Sequence, residues 1–348
     1  MRKRRATFLA AALAVCMAVP GCGAKAQKSE KSGNHFGEGA SVETTQASEA
    51  AEQETEEEID PETMDHIKYN IYVELNNDMV EIMDDIYYYY AVVGDEEEFT
   101  LLPDSGLTYG YRIVGKNADT LDDAVLVADM EPSYGDMDQM VKAFEPSLRE
   151  LMEAFSEISS SNMHGSYAEN QYQRPKELHK VIQAAVAEFE PLAYEYFDAL
   201  NKISGERAEK ERAKLKDEGL LIAYNASCAI DKTRAILDAC ETQGVTDENI
   251  NDLDLTEIRP MYEELVAVVA AFNEAAADNN QLMKESLTNS RPFDGLLEKD
   301  IQAVEWMMKQ VESGWPIEDP SLEPLGSIAH VANTLTECID RYNSVFVN

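Results

Sequence analysis

The sequence predicts an all-α fold, a multi-helix bundle of about seven helices with one long irregular insertion that has room for a small β-hairpin. Three observations predict it. From Met64 onward, apolar residues recur at alternating spacings of three and four, which gathers them on one face of a helix. Helix starts and stops punctuate these runs, as with Pro61 after Asp60 and with Gly94 and Gly219. No stretch repeats the strand–helix alternation from which a parallel sheet is built. An apolar fraction of 44% is ordinary for a chain that buries a core.

The first elements are not part of that body. Arg2, Lys3, Arg4 and Arg5 precede an apolar run from Ala6 to Val19, the layout of an export signal. The run has about 14 residues, roughly 21 Å of helix, which is short against a bilayer core of about 30 Å. Val19, Pro20 and Gly21 then lead into Cys22, with an aliphatic residue at −3 and a small one at −1. This resembles a bacterial lipobox, which implies a signal peptide over residues 1–21 and a lipid on Cys22. An ordinary cleaved signal and an uncleaved membrane helix are the weaker readings. From Gly23 to Asp60 the chain is rich in Ser, Glu, Gln, Ala, Gly and Thr and poor in large apolar residues, so it cannot offset its own chain entropy. Residues 22–63 are therefore read as a lipidated cysteine and a disordered acidic tether, with an r.m.s. reach of roughly 31–37 Å. The tether ends in Glu54, Glu56, Glu57 and Glu58, a solvated, self-repelling run with at most weak calcium affinity.

The helical body spans 64–348. Its first helix carries Tyr72, Leu75, Met79, Ile82, Ile86, Tyr89 and Val93 on one stripe. A second helix is expected over 136–158. A third starts near Pro175, carries Leu178, Ile182, Phe189, Tyr196 and Ile203, and extends through the charge-rich stretch 206–218 as a solvated arm. Pro191 should kink it. A fourth helix follows Gly219 and runs over 220–242. The fifth is marked by Ile258, Leu265 and Phe272, the sixth by Leu297, Val304 and Met308, and the last by Val331, Leu335, Cys338 and Tyr342. Residues 99–132 break the pattern, and within them the runs 107–114 and 124–127 could be short strands. Phe144-Glu145-Pro146 and Phe189-Glu190-Pro191 are an internal echo, weak evidence for duplicated helical units.

Several stretches together resemble the YiiG-like family of uncharacterised bacterial lipoproteins. They are the lipobox at Cys22, then 68–77 opening with Lys68 and Tyr69, 167–172 with 176–180, 212–216 with 220–225, and Arg341-Tyr342-Asn343. The resemblance implies an envelope-anchored, mainly helical protein and supplies no reaction.

Charge excludes one class of partner. Lys and Arg number 29 against 67 Asp and Glu, a formal net charge of −38. Nucleic-acid binding needs cations that displace phosphate counterions, so no nucleic-acid partner is expected. The expected partners are the membrane, through the N-terminal lipid, and an envelope protein or a small ligand. No cofactor or metal is expected, because His66, His164, His179 and His330 lack ligand spacing and no phosphate loop or nucleophile elbow occurs. Asp247, Asn249 and Asn251 have calcium-loop spacing, but Asp252 and Ile258 stand where glycine and glutamate are needed. His179 reads as a surface or core-edge residue. Cys228, Cys240 and Cys338 read as small buried thiols, although Cys338 could pair with either of the others.

Two groups are candidates for ligand contact. Asn70 and Asn77 lie seven apart and share a helix face. They could offer amides to a sugar or peptide, although interior asparagines that fix helix register are favoured. Tyr87 to Tyr90 wrap nearly the whole circumference of a helix, with Tyr89 in the core, Tyr90 at its edge, and Tyr87 and Tyr88 partly outside. Rings so placed could stack on a ligand or pack under the 99–132 insertion, the favoured reading. The chain thus reads as a non-enzymatic, membrane-anchored binding or scaffolding module outside the cytoplasm. The rivals are a receptor for a small ligand, peptide or glycan in an inter-helix groove, and an envelope hydrolase.

Overall fold

A computed structural model describes residues 60–94, 96–102, 112–160, 172–319 and 322–347. Residues 1–59 lie outside it, so the signal peptide, Cys22 and the tether do too, as do residues 107–111 of the first candidate strand. Among the described residues the chain forms nine α-helices and no strand. They are α1 (Pro61–Val93), α2 (Asp119–Ala128), α3 (Asp136–Ser160), α4 (Gln173–Asp217), α5 (Leu221–Thr242), α6 (Leu255–Ala277), α7 (Asn279–Lys284), α8 (Leu296–Ser313) and α9 (Ile328–Tyr342).

The count exceeds seven because of α2 and α7. Residues 124–127 are helical, which corrects the candidate hairpin. Leu121, Ala124, Val127 and Ala128 are buried while Leu126 is exposed, the burial pattern of a helix and not of a strand. Asp119 and Asp122 sit in its first turn, where the helix dipole favours negative charge. A 2.6 Å ion pair from Arg149 of α3 to Asp122 ties it down. The β-branched run that suggested a strand is thus outvoted by packing against α1 and α3.

The ends of α1 follow the sequence signals. The Asp60 carboxylate accepts from the Glu62 and Thr63 amides at 3.1 and 3.0 Å, and Gly94, at φ 86°, closes the helix. All seven stripe residues of α1 are buried. Helix α4 is one continuous element of 45 residues through Pro191 and the charged stretch alike. The internal echo has a packing counterpart, since Phe144 of α3 meets Phe189 of α4 edge-on with centroids 6.1 Å apart.

The apolar residues form two cores. One gathers α1, α2, α3 and α4 up to Leu200; the other gathers α5, α6, α8 and α9 with Phe293 and Leu282. The remainder of α4, beyond Leu200, carries the chain from the first to the second. Carboxylates from distant segments complete helix starts. Glu285 accepts from the Ile222 and Ala223 amides, both at 2.8 Å, and Asp247 from those of Ile328 and Ala329 at 2.5 and 3.2 Å. Asp247 thus supplements the N-cap of α9, Ser327, whose hydroxyl accepts from the His330 amide at 2.9 Å. Asn249 folds back on Thr246, and Asn251 donates to the Gly314 carbonyl, so the calcium-like spacing serves loop structure.

Candidate functional site

The helices α1 and α4 run antiparallel. Asp65, Tyr69, Tyr72 and Tyr89 of α1 are bonded respectively to Arg207, Ser204, Tyr196 and His179 of α4, so α4 numbers fall as α1 numbers rise. Near the start of α1 this pair encloses a polar frame. Lys68 and Tyr72, one turn apart, share a face, and both reach Asp138 in the first turn of α3. Lys68 Nζ lies 2.9 Å from Asp138 Oδ1, and the Tyr72 hydroxyl donates to the same oxygen at 2.5 Å. Lys68 is fully buried, and it also donates to the Met130 carbonyl at 2.9 Å. The second Asp138 oxygen accepts from the Tyr134 amide at 2.7 Å and the Ser133 hydroxyl at 3.2 Å. Burial alone would raise the Asp138 pKa, but the hydrogen bonds from Tyr72 and Lys68 outweigh it and hold the carboxyl below its usual range. Burial and the neighbouring Asp138 push the Tyr72 hydroxyl far up.

A second tier lies closer to solvent. The Arg207 guanidinium stacks 4.3 Å from the Tyr69 ring centroid, donates to the Tyr134 hydroxyl at 2.5 Å, and pairs with Asp65. The Tyr134 hydroxyl in turn donates to Asp65 Oδ1 at 2.8 Å. These fixed charges form the floor of a cleft of about 620 Å³ between the first turns of α1, the Ser133–Tyr134 bend and the far part of α4. His66 and Glu62 border it on the α1 side, and Ile203, Glu206, Lys210, Glu211 and Lys214 on the α4 side, so acids and cations alternate along that wall. Lys210 and Lys214 are exposed and make no ion pair among the described residues. The arrangement can hold a charged ligand against a hydrogen-bonded polar floor.

The tyrosines singled out from sequence sit elsewhere. Tyr89 is buried in the first core, and Tyr87 and Tyr88 are half-buried, as their helical phase predicts. These two line a smaller cavity of about 220 Å³ together with Glu81, Asp84, Asp85, Arg112 and Val114. The Arg112 guanidinium lies 5.5 Å from the Tyr88 centroid. Asp85 accepts from the Val114 and Gly115 amides at 3.0 and 3.1 Å, which fastens this part of the insertion to α1, and burial raises its pKa. The insertion does pack beside the tyrosines.

Asn70 and Asn77 line neither cavity. Both are exposed, so they are not interior register residues either. The interior amide is Asn76, fully buried with neither side-chain atom partnered among the described residues. It stands at i, i+4 and i+7 spacing with Tyr72 and Met79, and that phase was readable. His179 is corrected in the other direction. It is fully buried, its Nδ1 sharing a 2.9 Å hydrogen bond with the Tyr89 hydroxyl and its Nε2 another with the Glu96 carbonyl. Lys68, Asp138, Arg207 and Tyr134 were missed. Lys68 reads from sequence as an ordinary charged residue, and its partner lies 70 positions away across a loop with no periodicity.

Cys228, Cys240 and Cys338 are free thiols; Cys240 and Cys338 are buried, and burial pushes Cys240 up to about 12. Asp300 of α8 is fully buried, accepts from the Thr233 hydroxyl of α5, and is pushed up to about 7 by desolvation. No cluster of three or more metal-ligating side chains occurs among the described residues. None of their helices is long and apolar enough to cross a membrane.

A family model matches residues 63–344, so it takes in both cores and all of the cleft's lining but Glu62, and begins just inside α1. Neither a curated protein nor a solved structure matches the chain.

Proposed function

The chain belongs to the family described as protein of unknown function (DUF3829), and from that premise we propose that it is an extracytoplasmic lipoprotein, anchored through Cys22, whose helical body is a binding module. The cleft between α1 and α4 is its ligand site. The observation that carries this reading is the construction of that cleft. Arg207 and Asp65 are held by each other and by Tyr69 and Tyr134 in the wall of a cleft of about 620 Å³. Two further cations, Lys210 and Lys214, stand at its side among Glu206 and Glu211 and make no ion pair among the described residues. A preorganised polar floor lowers the cost of ordering side chains when a ligand arrives. The signal-like N-terminus and the lipobox support the address, and the segments of the YiiG-like resemblance supply Lys68, Tyr69 and Tyr72 to the frame.

Two measurements test it. Cys22→Ser should move the protein from the membrane to the soluble fraction, and retention at the membrane would overturn the anchor. For the binding reading, the protein is taken from its native membrane in mild detergent and weighed by native mass spectrometry. A small added mass, lost on denaturation and depleted in Lys210→Ala/Lys214→Ala, is the expected result. An added mass indifferent to those lysines, or a bare chain in both cases, would remove the cleft as the binding site.

A further inference from the structure

We propose that the cleft between α1 and α4 takes a zwitterion, a small molecule with an ammonium and a carboxylate several ångströms apart, as in a short peptide. The proposal rests on the reading of this cleft as the ligand site and names the class of ligand it takes.

The charges of the lining fall into two sets. Asp65 and Arg207 are committed to each other and to the Tyr134 hydroxyl, so together they present a neutral, hydrogen-bonded surface. Glu62, Glu206, Lys210, Glu211 and Lys214 line the same cleft and form no ion pair among the described residues. Carboxylates and ammoniums of this second set therefore remain to meet a ligand. They are interleaved and not sorted into an acidic side and a basic side. Along α4 the order is Glu206, Lys210, Glu211, Lys214, and Glu62 stands on the α1 side. Glu206 and Lys210 have the i, i+4 order that favours pairing with each other. Such an exposed pair shifts an equilibrium by a factor of only about two to three, so a ligand readily replaces it.

That order discriminates among ligands. An anion that reached the lysines would lie beside carboxylates, in a chain whose net charge is already −38. A cation that reached the carboxylates would lie beside the two lysines. A molecule with both signs of charge satisfies each set without opposing the other, provided its charges are spaced as the wall spaces them. Helix rise puts Lys210 about 6 Å and Lys214 about 12 Å beyond Glu206. An extended tripeptide, at roughly 3.3–3.6 Å per residue, holds its ammonium about 10 Å from its carboxylate, within that range. A cleft of about 620 Å³ has room for a ligand of this size. Half-buried Ile203 and the Tyr134 ring, in the same lining, offer apolar contact to its uncharged part.

The test is calorimetric titration of the full chain with trialanine, with its N-acetyl form and with its C-terminal amide, at low ionic strength. Trialanine should bind more tightly than either capped peptide, by about tenfold in Kd, the effect of losing one charged contact. Lys210→Gln/Lys214→Gln should abolish the preference for the free carboxylate and keep the preference for the free amine. Glu62→Gln/Glu206→Gln/Glu211→Gln should do the reverse. Glu211 is half-buried and the other four side chains are exposed, so both variants should melt with the parent. A capped peptide that binds as well as trialanine, with both variants weakening it, would overturn the zwitterion and leave the cleft as a ligand site. Binding of all three peptides indifferent to both variants would overturn the cleft as well. No binding of any of the three at millimolar concentration would overturn the zwitterion, and the native-mass measurement would then decide whether the cleft takes another ligand.

Discussion

Lys68 and Asp300 are both charged residues placed where water does not reach, and they have been accommodated in opposite ways. Lys68 faces the Asp138 carboxylate at 2.9 Å and the Met130 carbonyl. Lys68→Met should therefore cost about 3–5 kcal/mol, because it leaves a buried carboxylate without its counterion. Lys68→Met with Asp138→Asn should recover at least half of that, since the site then buries no charge without its counterion and the amide oxygen still accepts from Tyr72. Urea titration of the two variants measures both, and equal losses would show that the pair adds nothing as a pair. Asp300 has no cation beside it, and one carboxylate oxygen lacks a partner among the described residues. Its pKa is pushed from an ordinary 3.8 up to about 7, so the folded protein holds a proton that the unfolded chain releases. That contribution is complete below about pH 4 and is lost as pH rises through 7, on the order of 4 kcal/mol in all. Asp300→Asn, which cannot ionise, should gain stability relative to the parent from pH 5 up to about pH 7 and level off above it. A constant difference across that range would show that Asp300 is ionised throughout.

At the scale of elements, the sequence is read most securely where helical periodicity is long. The stripes of α1, α3, α5, α8 and α9 needed only apolar spacing, and the Asp60 and Gly94 signals located both ends of α1. Periodicity fails where an element is short. Ten residues hold fewer than three turns, so α2 presented a β-branched run that its neighbours, not its own pattern, resolve into helix. The six-residue α7 was invisible for the same reason. The candidate site was less legible still. Its tyrosines could be phased correctly, but the Lys68–Asp138 and Asp65–Arg207 pairs depend on which helix ends the fold brings together, and nothing in local spacing encodes that. The loop ahead of α2 shows how tightly such joins are made. Gly115 has φ 68°, and a methyl group there would lie 2.8 Å from the Ser156 backbone of α3, so only glycine lets the strap carrying Asp85's two donors pass over that helix.

At the scale of the whole molecule, the two cores bear on how the chain unfolds. Of the two tryptophans, Trp306 lies on α8 stacked on His330 of α9 and Trp315 in the loop that follows α8, so tryptophan fluorescence reports on that half, whereas far-ultraviolet dichroism sees every helix. Leu148→Ala removes a fully buried side chain from the first core and should cost about 2–5 kcal/mol there. The dichroism transition should then begin at lower urea while the fluorescence midpoint stays with the parent. Midpoints that move together would mean the two cores fold as one cooperative unit.

The length of α4 then becomes a phase relation. Between Leu200, the last α4 residue of the first core, and Arg212, which pairs with Asp231 of α5 at 3.0 Å, the chain keeps one helical rotation uninterrupted. A single residue inserted in that interval would turn everything beyond it by about 100° and advance it by about 1.5 Å. Arg207 could then keep Asp65, or Arg212 keep Asp231, but one docking would be rotated away from its partner. The count of residues in this interval is therefore as constrained as the identity of Ser204, Arg207 or Arg212 within it.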